Sequence, residues 1–367
     1  MKLPREFFIE DRLEKHRLNA ECCLGESGMR NFTLREVLEM TETDEKDLLS
    51  ISLADSPNSG REDLRKKISE LYTGIGPENI LVTTGTSEAL LLIFMHIIQK
   101  GCRVSYFSPA FQALYEVPLS FGAETVPVSA FSRFSAEEIF SEQAELMILN
   151  HPHNPTGKCF SKEDIKYIQK NKKKYTGSIV FDEHYRFLDY HEEIGFSGAD
   201  AFSNIFATGS VTKCFGVTGL RIGWAAGNAD VIPKLRGLKD YITHTVNPVS
   251  EFLALRILEK RQSISAALKK RVGRNLEVFR KYFPLLHSLK SANLPEGGLV
   301  FFPELKAGLA SESYSDWLLE NADVFVLPGS SFETEGFIRI GLGETEDRFE
   351  KGIKKWAEAE KKLASEK

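Results

Sequence analysis

A lysine surrounded by small residues is the most unusual chemical group in this sequence. Lys213 lies in the segment TGSVTKCFGVTGLRIGW, which spans residues 208–224. The glycines of this segment allow close approach of the backbone, so the lysine is poorly placed for a solvated surface role. Ser210 and Arg221 flank it and can both contact one phosphate group. We therefore predict an enclosed amine beside a phosphate-binding site.

The segment TTGTSEA, residues 83–89, has the features of a second phosphate-binding element. It leads from an apolar strand into a helix through a turn at Gly85. Free backbone N–H groups at the helix start, together with the hydroxyls of Thr86 and Ser87, suit a phosphate. Hydroxyl residues at this position also act as simple helix caps, and this segment alone does not distinguish the two uses.

Two more predicted strand ends carry polar side chains. Asp182 ends the apolar run SIVFD, where its carboxylate can hold a protonated ring nitrogen and Tyr185 can reach the same ring. The alternative use of Asp182 is a cap on the following helix. Two prolines flank Asn154 in the segment NHPHNPTG, residues 150–157, and make a rigid turn. Its amide can donate to an oxyanion of a ligand, and a plain turn is the alternative.

Strand and helix patterns alternate through the middle of the chain and position these polar segments. Apolar runs predict strands at residues 80–83, 103–106, 145–150, 178–181 and 204–208, and longer segments predict helices at 87–99 and 161–174. This alternation implies an α/β fold with a mostly parallel sheet covered on both faces. Ligands of such sheets gather beyond the carboxyl ends of the strands, where the four polar segments are expected.

The pattern changes after about residue 230. A charged amphipathic stretch at 249–283 predicts one or two helices, strand-like runs follow at 298–302, 324–327 and 336–340, and a final helix is predicted at 345–364. We therefore predict a large domain at 46–245 and a smaller α+β domain at 246–367. The N-terminal segment 1–45 is expected to complete the small domain, so that both termini pack there.

Composition and charge exclude several classes of function. The 367 residues carry a net charge of -5, which gives no global reason to bind nucleic acid or an anionic membrane. The apolar run 89–98 is shorter than the roughly 20 residues that cross a bilayer, and the charged start of the chain lacks a signal-peptide pattern. Five cysteines form no CxxC pair and no metal-ligand spacing. We predict a cytoplasmic protein with reduced thiols and no metal.

Taken together, the polar segments resemble the aminotransferase class I/II family of pyridoxal phosphate enzymes, which have the fold called type I. The resemblance runs from about Gly60 to Gly341. It implies a large cofactor-binding domain of the PLP-transferase kind and a homodimer with its active site near the interface. The residues that it assigns to the cofactor phosphate and its turn are Gly85, Thr86, Ser87, Ser210 and Arg221.

The resemblance also implies the catalytic residues. Lys213 would bind pyridoxal phosphate as a Schiff base and later act as general acid and base. Asp182 would pair with the pyridine nitrogen and keep it protonated, so that the ring accepts electrons. Tyr185 and Asn154 would bond the phenolate oxygen of the cofactor.

Three further residues match family positions that face the ring or the substrate. Phe111 matches the aromatic residue that stacks on the cofactor ring. Arg339 matches the arginine that pairs with the substrate α-carboxylate, for which its planar fork is suited. Gly28 resembles the glycine of the N-terminal segment that closes over the substrate, and Asn154 is expected to contact the substrate as well.

One position departs from the family pattern. Many relatives have a tyrosine five residues before the glycine that matches Gly60, and it reaches the phosphate of the neighbouring subunit. This sequence has Asp55 there, so we expect Asp55 to point elsewhere or Ser56 or Asn58 to replace the contact. The predicted function is an aminotransferase acting on an α-amino acid and a 2-oxo acid. The alternatives are a lyase, decarboxylase or cyclase of the same fold, as in capreomycidine synthase-like members, and a cofactor-binding module without catalysis.

Overall fold

The computed structural model describes residues 2–131, 134–201 and 203–365. Its α-helices are α1 Phe8–His16, α2 Leu34–Thr41, α3 Glu45–Leu49, α4 Glu62–Ser69, α5 Thr86–Ile97, α6 Ala113–Ser120, α7 Ala136–Ser141, α8 Lys162–Asn171, α9 Ile232–Lys239, α10 Pro248–Glu259, α11 Arg261–Tyr282, α12 Ser311–Ala322 and α13 Glu346–Ser365. Short 3-10 turns occur at Pro77–Asn79, Lys172–Lys174, Arg186–Leu188, Thr218–Leu220, Phe283–Leu285 and Gly329–Phe332.

The strands fall into one large sheet and several small ones. They are β1 Cys22–Cys23, β2 Ile80–Thr83, β3 Arg103–Ser108, β4 Glu124–Ser129, β5 Leu146–Asn150, β6 Ser178–Asp182, β7 Ile205–Ser210, β8 Gly223–Ala226, β9 Leu289–Ser291, β10 Val300–Phe301, β11 Glu304–Leu305, β12 Val324–Phe325, β13 Leu327–Pro328 and β14 Ile338–Gly341.

The large sheet has seven strands in the order β2-β8-β7-β6-β5-β3-β4. Strands β7, β6, β5, β3 and β4 are parallel, whereas β8 runs antiparallel to both of its neighbours, β7 and β2. The predicted α/β fold with a mostly parallel sheet is therefore confirmed. All five residues of β5 and of β6 are buried, as expected for strands that are covered on both faces.

Alternate residues of the strands face two separate apolar layers. Leu146 and Ile148 of β5 pack in the layer that contains α5, α6 and α9. Met147 and Leu149 pack on the opposite face, in the layer that contains α4, α7, α8 and α10. Helices on both faces leave the ends of the strands as the open edge of the sheet, and that edge holds the polar segments.

The register of the sheet aligns the predicted site residues at one edge. Asn150 pairs with Asp182 across β5 and β6, and Asp182 pairs with Thr208 across β6 and β7. Gly223, the first residue of β8, lies opposite both Ser210 and Thr83. The carboxyl ends of four strands thus meet where β8 begins.

The C-terminal part of the chain forms a second, antiparallel sheet of β10, β14 and β13. The N-terminal segment joins this part, because Cys22 and Cys23 pair in parallel with Val324 and Phe325. Helices α11 and α13 pack against each other beside these strands. The strand-like runs and the final helix therefore occur where the sequence pattern indicated.

The described residues contain no membrane-spanning helix, no metal-binding group of side chains and no disulfide. They contain no helix that is both long enough and apolar enough to cross a membrane. They contain no group of three or more His, Cys, Asp or Glu side chains arranged to hold a metal ion. The five cysteines are free thiols, and burial raises the pKa of Cys23 to about 11.

Candidate active site

A cavity opens at the carboxyl edge of the sheet and collects most of the predicted site residues. Its lining comes from α1, from the loop before Gly28, from the large sheet and from β14. The lining residues are Ile9, Glu10, Ser27, Thr86, Ser87, Phe111, Asn154, Asp182, His184, Thr212, Lys213, Arg221 and Arg339. Eight of these were predicted from the sequence, and they come from segments far apart in the chain.

Lys213 lies in the loop between β7 and β8 and points its side chain into this cavity. Its Nζ makes no hydrogen bond or ion pair with any described residue. Burial lowers the pKa of the Lys213 amine, and the nearby carboxylates of Glu26 and Glu10 oppose that change. A Cβ added at Gly28 would lie 3.3 Å from Lys213 Cδ, so the N-terminal segment lies directly against the lysine stem.

The carboxylate of Asp182 is almost completely buried, with 2% of the residue exposed. Thr208 Oγ1 donates to Asp182 Oδ1 at 3.0 Å, and Asn150 Nδ2 donates to Oδ2 at 3.2 Å. The ring nitrogen Nδ1 of His184 lies 3.2 Å from both oxygens. Three neighbouring side chains therefore fix the orientation of this carboxylate at the base of the cavity.

Arg339 connects the C-terminal sheet to the turn that follows β5. Its Nη1 donates to Asn154 Oδ1 at 3.2 Å, and its Nη2 donates to the carbonyl oxygen of Gly25 at 2.7 Å. The residue is 1% exposed, and its buried Nε has no hydrogen-bond partner among the described residues. Burial lowers the pKa of this guanidinium. A cation with an unused donor in a closed site is suited to binding a carboxylate.

The first turn of α5 and Arg221 form an anion-binding corner. Thr86 and Ser87 begin the helix, where backbone N–H groups have no partner inside the helix. Gly85 precedes them with a φ of 80°, and a Cβ added there would lie 2.8 Å from Arg221 Nη2. Arg221 itself has a left-handed backbone with φ 51°. Glycine at position 85 thus lets the guanidinium lie against the start of the helix.

Four predicted site residues lie beside the cavity without lining it: Gly85, described above, and Ser210, Tyr185 and Gly28. Ser210 is buried and shares a hydrogen bond of 3.0 Å with Thr212 Oγ1, which does line the cavity. Tyr185 is fully buried, and its hydroxyl donates to the carbonyl oxygen of Ser27 at 2.5 Å. Gly28 lies against the aliphatic part of the Lys213 side chain and does not line the cavity.

Sequence reasoning missed five lining residues. Ile9 and Glu10 belong to α1, and Ser27 precedes Gly28. His184 and Thr212 each lie within two residues of a predicted site residue, so adjacency to Asp182 and Lys213 was a usable signal for them. Phe7 packs on Phe111 with ring centroids 5.4 Å apart, which brings α1 over the cavity.

Asp55 lies away from this cavity. It is exposed, and its Oδ1 accepts a hydrogen bond of 3.2 Å from Thr245 Oγ1. Ser56 is buried nearby, and Asn58 Nδ2 donates to Asp240 Oδ1 at 2.8 Å. Within this chain, Asp55 therefore points toward the loop after α9.

An enclosed amine, a buried carboxylate and a buried arginine in one cavity suit an enzyme that acts on amino groups with the help of a ring cofactor. The chain belongs to the aminotransferase class I and II family, because the family model matches residues 24–355. Members of this family use pyridoxal phosphate, which is therefore the cofactor of this enzyme.

Particular relatives fit the same family. The chain is 28% identical over 330 residues to an aspartate aminotransferase of Pyrococcus horikoshii, covering 85% of this chain and 83% of that protein. It is 24% identical over 355 residues to the capreomycidine synthase of Streptomyces vinaceus, covering 94% and 91%. The solved structure of a PLP-dependent aminotransferase from Streptococcus suis superposes with a TM-score of 0.89 at 25% identity, and 99% of each chain is covered.

The residues of the cavity fit this cofactor. The unpaired amine of Lys213 is available for a covalent bond. The carboxylate of Asp182 lines the cavity and is held in place by three neighbouring side chains. The start of α5 and Arg221 offer donors to a phosphate. The unpartnered Nε of Arg339 leaves a donor for a substrate carboxylate.

Proposed function

We propose that this enzyme transfers the amino group of an α-amino acid to a 2-oxo acid, with Lys213 as its Schiff-base lysine. The observation that carries the proposal is the unpaired Lys213 amine in one cavity with Asp182 and Arg339. A half-buried amine with a lowered pKa holds its neutral, nucleophilic form more readily than an exposed lysine. The same amine is positioned to take a proton from the substrate Cα and return it.

The other site residues predicted from the sequence have binding or orienting roles in this proposal. Pyridoxal phosphate supplies an aldehyde that takes up amino groups and a ring that accepts electrons. Asp182 would hold the ring nitrogen, and Phe111 would lie against the ring. Asn154 and Tyr185 would bond the phenolate oxygen, and the Tyr185 hydroxyl would turn from the carbonyl oxygen of Ser27 to do so. The phosphate would be held by Gly85, Thr86, Ser87, Ser210 and Arg221.

Arg339 limits the substrate to amines that carry an α-carboxylate. The cavity holds three basic side chains, Lys213, Arg221 and Arg339, and each has a role in the proposal above. A second substrate carboxylate would find no further cation among the described lining residues of this chain, and it would meet Glu10. We therefore propose that neutral or cationic side chains are preferred over that of aspartate.

A panel of amino acids tests this function. The absorbance of the bound cofactor should bleach when the right amino acid is added, and it should recover when a 2-oxo acid accepts the amino group. If no amino acid in a broad panel bleaches it, the proposal is wrong. Amino-group transfer should be stoichiometric, with every substrate carbon recovered in the 2-oxo acid.

A cyclase or other lyase is the second candidate. The similarity to capreomycidine synthase includes nearly the whole chain, and Asp55 replaces a tyrosine that many aminotransferases have. Mass spectrometry of the products separates the candidates. An intramolecular ring product, or loss of carbon from the substrate, would support the second candidate and exclude simple transfer.

We also propose that the enzyme is a cytoplasmic homodimer. Large apolar side chains are exposed around the Asp55–Thr245 contact: Leu49, Leu53, Tyr241 and Ile242. Exposed apolar patches of this kind mark contact surfaces, and a second copy of the chain is the family expectation. Five free thiols suit a reducing compartment. Light scattering should give twice the chain mass, and Tyr241→Asp should lower it.

We propose that the chain divides into two domains. We assign residues 46–245 to the cofactor-binding domain, and 1–45 together with 246–367 to the small domain. The pairing of Cys22–Cys23 with Val324–Phe325 supports this assignment. Limited proteolysis that cuts first near residue 45 or 245 would support the boundaries, and cuts inside the large sheet would oppose them.

A further inference from the structure

His184 is a cavity residue for which the proposed function has no role. It follows the end of β6 by two residues, lines the cavity and is 8% exposed. Its Nδ1 lies 3.2 Å from Oδ1 and 3.2 Å from Oδ2 of Asp182. No other histidine lines this cavity, within the part of the chain that the structure describes.

The contacts of Asp182 give His184 a specific function. A carboxylate offers about four acceptor positions. Thr208 Oγ1 and Asn150 Nδ2 occupy two of them, and His184 Nδ1 lies across both oxygens. Because Asp182 lines the cavity, the acceptor capacity that remains is available to a ring N–H of the cofactor.

His184 is itself held in place on two sides. Cys214, next to the lysine, donates its thiol to the carbonyl oxygen of His184 at 3.1 Å. The His184 ring packs on the Tyr185 ring with centroids 4.0 Å apart. Because an ionised carboxylate can only accept hydrogen bonds, the contact with Asp182 requires the hydrogen on Nδ1.

We propose that His184 is a positioning residue that donates a hydrogen bond from Nδ1 to Asp182 and thereby strengthens the hydrogen bond between that carboxylate and the pyridine nitrogen. This inference rests on the proposed pairing of Asp182 with the cofactor ring. It assigns to His184 an effect on cofactor binding that acts through Asp182 and therefore depends on the ring nitrogen. A residue that only fills space would affect every ligand of the same shape.

The test compares two ligands and two substitutions. The ligands are pyridoxal phosphate and its 1-deaza analogue, in which a carbon replaces the ring nitrogen. His184→Phe keeps a flat ring and removes the donor, whereas His184→Asn keeps a donor near Nδ1 and removes the ring. Dissociation constants are measured by absorbance titration of the full-length apo-protein, with Asp182→Ala as the reference variant. Thermal unfolding identifies any variant that does not fold.

We expect His184→Phe to weaken pyridoxal phosphate binding about 10-fold, as for loss of a hydrogen bond to a charged group, and to leave the deaza analogue unchanged. His184→Asn should retain most of the affinity. Equal losses for both ligands, or a larger loss in His184→Asn than in His184→Phe, would mean that the ring only packs, and the inference would be wrong. If His184→Phe fails to fold, the His184→Asn comparison decides between the same outcomes.

Asp182→Ala distinguishes a failure of the inference on His184 from a failure of the proposed pairing between Asp182 and the ring nitrogen. A loss that is confined to pyridoxal phosphate supports the pairing of Asp182 with the ring nitrogen. If that loss occurs and His184→Phe has no effect, the inference on His184 fails and the proposed function stands. If Asp182→Ala weakens both ligands equally, the proposed pairing fails and the inference fails with it.

Discussion

Nη1 of Arg339 donates a hydrogen bond of 3.2 Å to Oδ1 of Asn154. This bond joins β14 of the C-terminal sheet to the turn after β5 of the large sheet, across 185 positions in the chain. It also orients the amide of Asn154, because the oxygen that accepts from Arg339 leaves the amide nitrogen for another partner. With the roles proposed for Arg339 and Asn154, this side-chain pair would couple substrate recognition to cofactor recognition.

Replacement of Arg339 should impair recognition of the α-carboxylate. We expect Arg339→Lys to lower kcat/KM for α-amino acids about 100-fold, because an ammonium cannot reproduce a planar two-pronged contact. The absorbance of the bound cofactor should persist. Arg186 is a matched control, since it is also buried but bonds the carbonyl oxygens of Gly195 and Leu71. Arg186→Lys should lower stability and leave substrate preference unchanged.

Replacement of Lys213 should abolish the covalent bond to the cofactor. Lys213→Ala should lose both turnover and the visible absorbance of the bound cofactor. Lys239 is a fully buried lysine, whose Nζ donates to the carbonyl oxygen of His244 at 2.6 Å. Lys239→Ala should lower the melting temperature and keep the absorbance. If Lys213→Ala retains the absorbance, another amine binds the cofactor.

A methyl group at Gly85 should disturb the anion-binding corner. Gly85→Ala places Cβ 2.8 Å from Arg221 Nη2 at a φ of 80°, and we expect at least about 10-fold weaker binding of pyridoxal phosphate. Gly74 has a similar φ of 72° with no atom within 4 Å of an added Cβ. Gly74→Ala should cost only the backbone strain, about 1 kcal/mol, and leave the cofactor affinity intact. Equal affinities of the two variants would contradict the assignment.

The apo-protein should become more stable as pH rises toward the ordinary lysine range. Burial lowers the pKa of Lys213 in the folded state below the ordinary lysine value of 10.5. Between the folded and unfolded pKa values the unfolded chain binds more protons, so the unfolding free energy increases with pH. Lys213→Met removes this contribution. Denaturant titrations should show the variant gaining most over the native apo-protein at neutral pH and least above pH 10.

Glu10 should discriminate against acidic substrates. Glu10→Gln removes a negative charge from the cavity lining, and we expect kcat/KM for aspartate to rise about fivefold relative to alanine, as for a charge contact near the surface. Glu14 of the same helix is the matched control. Its carboxylate accepts a hydrogen bond of 3.0 Å from Arg17, and it does not line the cavity. Glu14→Gln should leave the ratio unchanged.

Most of the large sheet could be predicted from sequence, and its two missed strands have physical reasons. The predicted strands were continuous apolar runs, as for β5 and β6. Strand β4 contains Pro127 and lies at the edge of the sheet, where a missing N–H is tolerated. Strand β8 begins in the glycine-rich segment after Arg221, so turn signals concealed it.

Cavity residues that follow strands of the large sheet could be predicted from the sequence. Cavity residues of the N-terminal segment could not. Lys213 and Asp182 could be located because they directly follow or end buried runs. Glu10 and Ser27 come from segments with no strand of the large sheet beside them, so no local pattern places them in the cavity. The hydroxyl of Tyr185 is bonded to Ser27, a contact across 158 positions that only the folded chain reveals.

The antiparallel strand β8 has a consequence for how the protein is made. Strand β2 pairs with β8, about 140 residues later in the chain. During synthesis β2 leaves the ribosome long before its partner exists, and such non-local pairing is slow because the loop must close first. The anion-binding corner lies at this junction, where Gly223 adjoins Gly85 and Thr86. Binding of the cofactor would therefore indicate that β8, the last strand of the large sheet in chain order, has paired with its neighbours.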